Sequence, residues 1–445
     1  MKLFDFFKNG NKQESEAKPE YEKALAHFQE GAYQEALKSL RFGFQKDSSY
    51  PALYQLSADC LRALGGEEEA LLFEHVLKHF KDANAFYQLG VHFLQVDQYD
   101  LATPFLEKSL ALNPQLGEVA HDLAIVYSRR FRIQDALEVL EKSPDFQSFW
   151  DYWFWCKLRI MAEQTEGLEA NLQELEQMLV QHPNKEEVIF PYQKLAEVRE
   201  MLLRFQHIGK PEKNIQDWHF IQYGAMLLDF FEEPEQYVAG GRYVALWGSH
   251  ETIKVIAERL KHYLDKLNIQ FEKVYYLPDR NSEIIGRAIA LEFGLESSVY
   301  EQETSEQVLF VSANSTDFDP YYDQLCKIKN GQVVFALNHS WLTASRICPD
   351  ISGLMSQAYF FPWDGGGIRI VDAEKGLSER TEPDHRPAEE IAQSIFEEEV
   401  KVEIDQDSLN FYLQHQQYLK AGGSKVNDDR FNFMIESPIH GSYFG

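Results

Sequence analysis

Small and apolar residues return at a fixed spacing through the first third of this 445-residue chain. Ala36, Ala70, Ala102 and Ala136 lie 34, 32 and 34 positions apart. Each stands five residues past a turn-like position: Gly31, Gly65, Asp97 and Phe131. Phe86, Leu89, Gly90, Phe93, Ala102, Leu106 and Pro114 complete the third unit at helical spacing. A period of this length, with small residues where helices cross, predicts paired antiparallel helices stacked into a solenoid over residues 19–145. No unit buries its apolar face alone, so neighbours stack. The stack curves, and its concave side becomes a surface for a protein or peptide.

From Phe146 the pattern changes. SFWDYWFWCKLRIM is densely aromatic and is expected to sink Trp150, Trp153 and Trp155 into the seam with the next helices. LEANLQELEQMLVQHP and EEVIFPYQKLAEVREMLLRFQ read as amphipathic helices, IGKPEKN as a break, and IQDWHFIQYGAMLLDFF as a further helix. Residues 146–239 thus continue or cap the solenoid. After Gly240 and Gly241 the chain alternates between strand and helix patterns. RYVALW, KVYYLP, QVLFVSA and QVVFALN predict strands. HETIKVIAERLKHYLDKL, NSEIIGRAIALEFGL and FDPYYDQLCKIK predict the helices between them. Such alternation implies an α/β domain with a mostly parallel sheet over residues 240–371. Residues 372–445 form an acidic segment with one predicted helix, AEEIAQSIFEEEVK, and a polar end containing AGGSKVNDD. Residues 1–18 read as a leader and linker, in which Leu3, Phe4, Phe6 and Phe7 would make one short amphipathic turn. The expected fold class is therefore multidomain, an α-solenoid followed by α/β.

Charge narrows the partners. The formal net charge of −28 disfavours nucleic acid and anionic membrane surfaces, and weakly favours a basic partner. No run of about 18 or more apolar residues is present to span a membrane. Cys60, Cys156, Cys326 and Cys348 are widely separated and form no CxxC pair, as expected of reduced thiols in a cytoplasmic, bacterial-type protein.

The unit from Ala83 to Gln115 resembles the tetratricopeptide repeat (TPR), with its Leu-Gly, aromatic, Ala, Leu and closing Pro positions. The next unit supplies Leu123, Ala124, Tyr127, Ala136 and Leu140. The first two are looser, keeping Ala24, Gly31, Tyr33, Ala36 and Leu40, then Ala58, Gly65 and Ala70. The resemblance implies an inner face lined by Gln55, Asp59 and Arg62, then Asn84, Tyr87, Val91 and Gln95, then Glu118, His121, Ile125 and Arg129. Arg62 and Arg129 would suit a carboxylate of a bound peptide. The Lys/Asn/Arg set with which some family members clamp a C-terminal carboxylate is missing.

In an open parallel sheet, ligands bind beyond the carboxyl ends of the strands. Two loops belong there. Arg280, Asn281 and Ser282 follow KVYYLP, and Ser312, Asn314, Ser315 and Thr316 follow QVLFV. Amides and hydroxyls at helix N-termini suit an anion. The segments VYYLPDRNSEIIGRAIALEFGL and VLFVSANSTDFDP also resemble the phosphoribosyltransferase core over residues 240–340, with Arg280 in its pyrophosphate loop. Ser312 and Ala313 stand where that family places two ribose-binding carboxylates, and Asp317 where it places a Gly. The resemblance therefore implies a degenerate domain without transferase activity. Three uses stay open for it: ordinary connections, a retained pocket for a phosphorylated small molecule, or catalysis.

Other groups carry less. His75 and His79 have a metal-compatible spacing without a third ligand. Trp363-Asp364-Gly365-Gly366-Gly367 is a lone Gly run, and His339, Ser340, Cys326 and Cys348 suggest a nucleophile and base without fixed geometry. No catalytic residue, metal or cofactor is assigned. The expectation is a protein–protein adaptor. An enzyme on a phosphorylated small molecule and a purely structural scaffold are the alternatives.

Overall fold

The computed structural model describes residues 15–230, 240–301, 307–329, 331–372, 377–422, 429–434 and 436–441. The apolar leader residues Leu3, Phe4, Phe6 and Phe7 and most of AGGSKVNDD lie outside them. The chain divides between Leu158 and Arg159 into two compact units.

The first unit opens with eight helices: α1 (Lys18–Gln29), α2 (Tyr33–Lys46), α3 (Pro51–Ala63), α4 (Glu67–Lys78), α5 (Ala83–Gln95), α6 (Tyr99–Leu112), α7 (Gly117–Arg129) and α8 (Ile133–Glu141). They form four helical hairpins, and one turn closes all four. Gly31, Gly65, Asp97 and Phe131 adopt φ of +78°, +87°, +58° and +60°. The next N–H then reaches back five residues. Ala32 donates to His27, Gly66 to Leu61, Gln98 to Phe93 and Arg132 to Tyr127, at 2.8–2.9 Å. This is the bond that ends a helix through a left-handed residue. Glycine takes that conformation freely, whereas Asp97 and Phe131 bear a cost of roughly 1–2 kcal/mol.

Where the helices cross, side chains shrink. Ala24, Ala36, Ala58, Ala70, Ala102, Ala124 and Ala136 are completely buried. At Gly90 a Cβ would stand 2.7 Å from Leu106 Cδ2, so α5 and α6 approach closely only because that position is bare. Aromatic rings fill the rest. The Phe105 ring lies 4.9 Å from Phe44, 5.9 Å from Tyr54, 6.1 Å from Phe73 and 5.7 Å from Phe93. Phe44 is on α2 and Phe105 on α6, so the first hairpin touches the third. The Arg41–Asp100 ion pair and a 2.8 Å bond from Lys108 Nζ to Ser49 Oγ join the same two hairpins. A uniform solenoid would allow contact between adjacent units only. Helix α9 (Phe149–Met161) follows. It buries Tyr152, Phe154, Cys156 and Leu158 and leaves Trp150 40% exposed, so that tryptophan does not fill the expected seam.

The second unit begins with α10 (Leu168–Gln181), α11 (Ile189–Ile208) and α12 (Ile215–Tyr223). The predicted IQDWHFIQYGAMLLDFF helix stops at Gly224, which takes φ +65°. The apolar run after it becomes strand β1 (Met226–Asp229). Next come β2 (Tyr243–Trp247), α13 (His250–Lys266), β3 (Lys273–Tyr276), α14 (Arg280–Phe293), β4 (Glu296–Val299), β5 (Val308–Asn314), a 3-10 turn (Ser315–Tyr321), α15 (Tyr322–Leu325), β6 (Gln332–Ser340) and β7 (Ile351–Phe360). A hairpin, β8 (Ile368–Asp372) and β9 (Leu377–Arg380), then leads to α16 (Ala388–Phe396) and α17 (Gln406–Gln414). The expected helix FDPYYDQLCKIK is reduced to the 3-10 turn and α15, with Pro320 inside the turn denying it an N–H.

Strands β1–β7 form one seven-stranded parallel sheet with the path β1-β7-β6-β5-β3-β4, and β8 and β9 pair antiparallel apart from it. β2 also pairs with β7 in parallel, beyond β1, so two short strands share one edge. Alternate residues face opposite layers. Leu309, Val311, Val333, Phe335 and Leu337 meet residues of α13, α14, α16 and α17, while Val308, Phe310, Val334 and Ala336 meet Phe318 and Leu325.

Because Phe105 anchors four other rings at zero exposure, Phe105→Ala is expected to cost about 3–5 kcal/mol. Urea unfolding of the full chain, followed by helical circular dichroism, would measure it.

Candidate functional site

Two places satisfy the demands of a site. The first is the inner face of the repeat. Gln55, Asp59 and Arg62 sit on α3, Asn84, Tyr87, Val91 and Gln95 on α5, and Glu118, His121, Ile125 and Arg129 on α7. Spacings of three and four residues bring each set to one side of its helix. Consecutive inner helices are joined by side chains. Tyr87 Oη donates to Asp122 Oδ2 at 2.9 Å, and His121 Nδ1 stands 2.5 Å from Asp151 Oδ1 on α9.

The charges on this face are unequal in their partners. Arg62 is taken up within its own hairpin by Glu67 and Glu74, at 3.2 and 2.6 Å. Arg129 is buried. The carboxylates keep fewer companions. Asp59 accepts from Gln55 Nε2 at 3.0 Å. Asp122 is half-buried with the Tyr87 hydroxyl as its donor, and burial raises its pKa. Asp151 is 3% exposed, and its Oδ2 has no hydrogen-bond partner. Asn84, Gln88, Gln95 and Glu118 are exposed around them. The result is a polar, aromatic and net acidic face.

The second place is the crevice at the strand ends. β3 connects through α14 to β4 on one side, while β5 connects through the 3-10 turn to β6 on the other. β3 and β5 are hydrogen-bonded neighbours, so their two loops diverge at the topological switch point. Both candidate loops therefore meet there. Buried Ser282 ties them, its Oγ accepting from the Ala313 N–H at 3.0 Å. Ser312 Oγ donates to the Asn314 carbonyl at 2.8 Å, and the Asn314 N–H donates to Asp317 Oδ2 at 2.8 Å. Asn314 Oδ1 accepts from Asn338 Nδ2 at 3.2 Å. Ser315 is buried with its hydroxyl unbonded, and Thr316 is half-buried.

The same crevice is rich in internal partners. Asp279 Oδ1 accepts the Ser282 N–H at 2.9 Å and so caps α14. Arg280 Nη2 donates to the carbonyls of Asp384 and Arg386 at 2.6 and 3.1 Å. Asn281 Oδ1 accepts from buried Trp363 Nε1 at 2.6 Å. Burial, with the charges of Asp279 and Asp319 adding to it, pushes the Asp317 carboxyl up to about 6. An incoming phosphate would meet two carboxyls and would have to draw Arg280 away from two carbonyls.

Asp122, Asp151, Ser282 as a cross-link and Trp363 as a partner of Asn281 were missed in the sequence. Each depends on a contact between distant segments, and no local pattern marks it. The weaker candidates disperse. His75 and His79 pack ring to ring at 4.6 Å. His339 is fully buried against Phe433 and His219 rather than beside a nucleophile. Gly365 and Gly366 both take φ +76° in the turn that enters the β8–β9 hairpin. Among the described residues no group of three or more His, Cys, Asp or Glu is placed to hold a metal ion.

No protein-family model matches the chain, and no curated protein matches it. Solved structures do show likeness. MamA from Desulfovibrio magneticus RS-1, residues 41 to its end, is 19% identical over 38% of this chain and 97% of that one, with a TM-score of 0.24. A MamA AMB-1 structure is 16% identical over 39% and 97%, at 0.25. YrrB, described as a TPR protein with an unusual peptide-binding site, is 17% identical over 38% and 89%, at 0.23. Likeness at this level says nothing about what this chain does.

Asp317 sets a pH dependence. Its folded pKa lies above the ordinary carboxylate value, so between about pH 4 and pH 6 the folded chain holds a proton that the unfolded chain has released. Stability contributed by this group is therefore present at low pH and lost as pH rises through about 6. Asp317→Asn keeps an acceptor for the Asn314 N–H without the charge. It is expected to raise stability at pH 8 by on the order of 1 kcal/mol, after allowance for screening, with the gain vanishing near pH 4. Denaturant titrations of both proteins across that range read the difference directly.

Proposed function

We propose that this protein is an adaptor whose helical repeat binds a protein or peptide along its inner face. The observation that carries the reading is the acidic row Asp59, Glu118, Asp122 and Asp151. It draws on α3, α7 and α9, while Arg62 is neutralised within its own hairpin. Asp59 and Asp122, half-buried and bonded to the neutral Gln55 amide and Tyr87 hydroxyl, gain most from an arriving cation. The partner is therefore a Lys- or Arg-bearing segment, not the acidic peptide that Arg62 and Arg129 would suggest by themselves. Tyr87, Val91 and Ile125 supply apolar contact between the charges, and Asn84 and His121 supply polar contact. Cys60, Cys156, Cys326 and Cys348 form no disulfide, which fits a reducing compartment such as the cytoplasm.

The α/β unit is a docking or sensing module on this reading, related in architecture to phosphoribosyltransferases but without their chemistry. The switch-point placement of both loops supports the relation. Ser312 and Ala313 in the carboxylate positions, and Asp279 and Asp317 facing the crevice, support the loss.

A pull-down from a cell lysate with the full-length chain, compared with an Asp59→Lys/Glu118→Lys double variant, tests the adaptor. Basic partners are expected to fall at least about tenfold in the variant, in line with the loss of two charge-assisted contacts. A partner set unchanged in identity and amount would place binding elsewhere on the molecule.

A further inference from the structure

A cavity of about 380 Å³ lies within the second unit, lined by residues other than those of the strand-end crevice. Its walls come from four distant stretches: Phe190, Gln193, Lys194 and Glu197 of α11, Tyr322 at the start of α15, Ala344–Arg346 between β6 and β7, and Asp429–Asn432. The chain holds these stretches rigidly. Arg430 is 4% exposed and spends its guanidinium on Asp350 at 2.8 and 2.7 Å and on the carbonyls of Leu325, Lys327 and Gln332. Lys194 Nζ bonds Glu197 Oε2 and Asn432 Oδ1 at 2.7 and 2.8 Å, tying α11 to the C-terminal stretch. Ser345 and Phe433 exchange backbone bonds at 3.3 and 3.0 Å, and the Cys348 N–H donates to the Phe431 carbonyl at 2.7 Å. Walls fixed in this way need little further ordering when a ligand arrives.

The cations around the cavity differ. Arg430 is matched by Asp350, and Lys194 by Glu197. Arg346 is matched by no carboxylate among the described residues. Its guanidinium lies 4.1 Å over the Tyr322 ring and gives one bond, from Nη1 to the Asp319 carbonyl at 3.3 Å. Stacking of this kind orients the planar fork while leaving its remaining N–H groups available. Facing groups add apolar area: Phe190 is 55% exposed and Phe431 is part of the lining. Volume, aromatic walls and one unmatched guanidinium fit a small ligand with a single charged end.

We propose that this cavity binds a small organic anion, with its carboxylate or phosphate on Arg346 and its planar body between Phe190 and Tyr322. This site shares no lining residue with the switch-point crevice, although Ser345 Oγ donates to the Ser315 carbonyl at 3.4 Å, and it stands whether or not the adaptor reading does.

Isothermal titration of the full-length chain with benzoate and with phenyl phosphate tests the proposal, with benzyl alcohol as the neutral control. Saturable binding of at least one anion is expected, weakened tenfold or more by Arg346→Gln and also weakened by Tyr322→Ser, while Arg280→Gln in the crevice leaves it unchanged. Stronger binding of benzoate marks a carboxylate ligand, and of phenyl phosphate a phosphate ligand. Because Arg346 is exposed, its replacement is not expected to impair folding, and the unfolding midpoint of each variant checks this. Three results overturn the proposal: no saturable binding of either anion up to 20 mM (on the order of the weakest affinity worth calling a site), equal affinity in Arg346→Gln, or benzyl alcohol binding as well as benzoate.

Discussion

Two helices come within touching distance only where their side chains are nearly absent, and that constraint underlies the whole first unit. Completely buried alanines at every crossing, and a bare Gly90 under Leu106, let each hairpin close. Closed hairpins then leave one apolar side for their neighbours, which aromatic rings fill. The inner face is what remains. It is polar because it is not needed for packing.

The chain reversal matters as much as the crossing. All four hairpins use the same left-handed residue and the same bond five residues back. Two of them do so with Asp97 and Phe131 in place of glycine. Such a substitution persists when the surroundings over-determine the turn. Phe131 is itself buried, and its ring offsets part of the backbone cost. The contact of Phe44 with Phe105 shows a further departure from simple repetition. The first and third hairpins share one aromatic cluster, so this part of the unit is three-dimensional rather than a linear stack.

In the second unit, electrostatics decides what each polar place offers. The switch-point crevice has the topology of a ligand site, yet its amides, its arginine and its hydroxyls are largely engaged with one another, and its carboxyls are short of cations. The cavity beside α11 shows the opposite balance, with one guanidinium that no carboxylate among the described residues neutralises. Similar residue types thus have opposite chemical consequences, set by which distant segments are folded against them.

Periodicity along the chain was enough to read the helical hairpins, their turn positions Gly31, Gly65, Asp97 and Phe131, and the presence of a parallel sheet, because each rests on local spacing. The strands β1, β4 and β7 were not legible. β1 hides in an apolar run that looks helical until Gly224 ends the helix, and β4 and β7 carry too little alternation to stand apart from their surroundings. The tetratricopeptide resemblance named candidate inner-face positions, but the sequence did not show how their charges are partnered. Arg62 is cancelled by Glu67 and Glu74, and Asp151 reaches His121 from another helix. Strand order, the meeting of the two crevice loops and the assembly of the cavity wall were decided by tertiary structure alone. Each joins residues tens to hundreds of positions apart, and pairing at that range leaves no mark on local sequence.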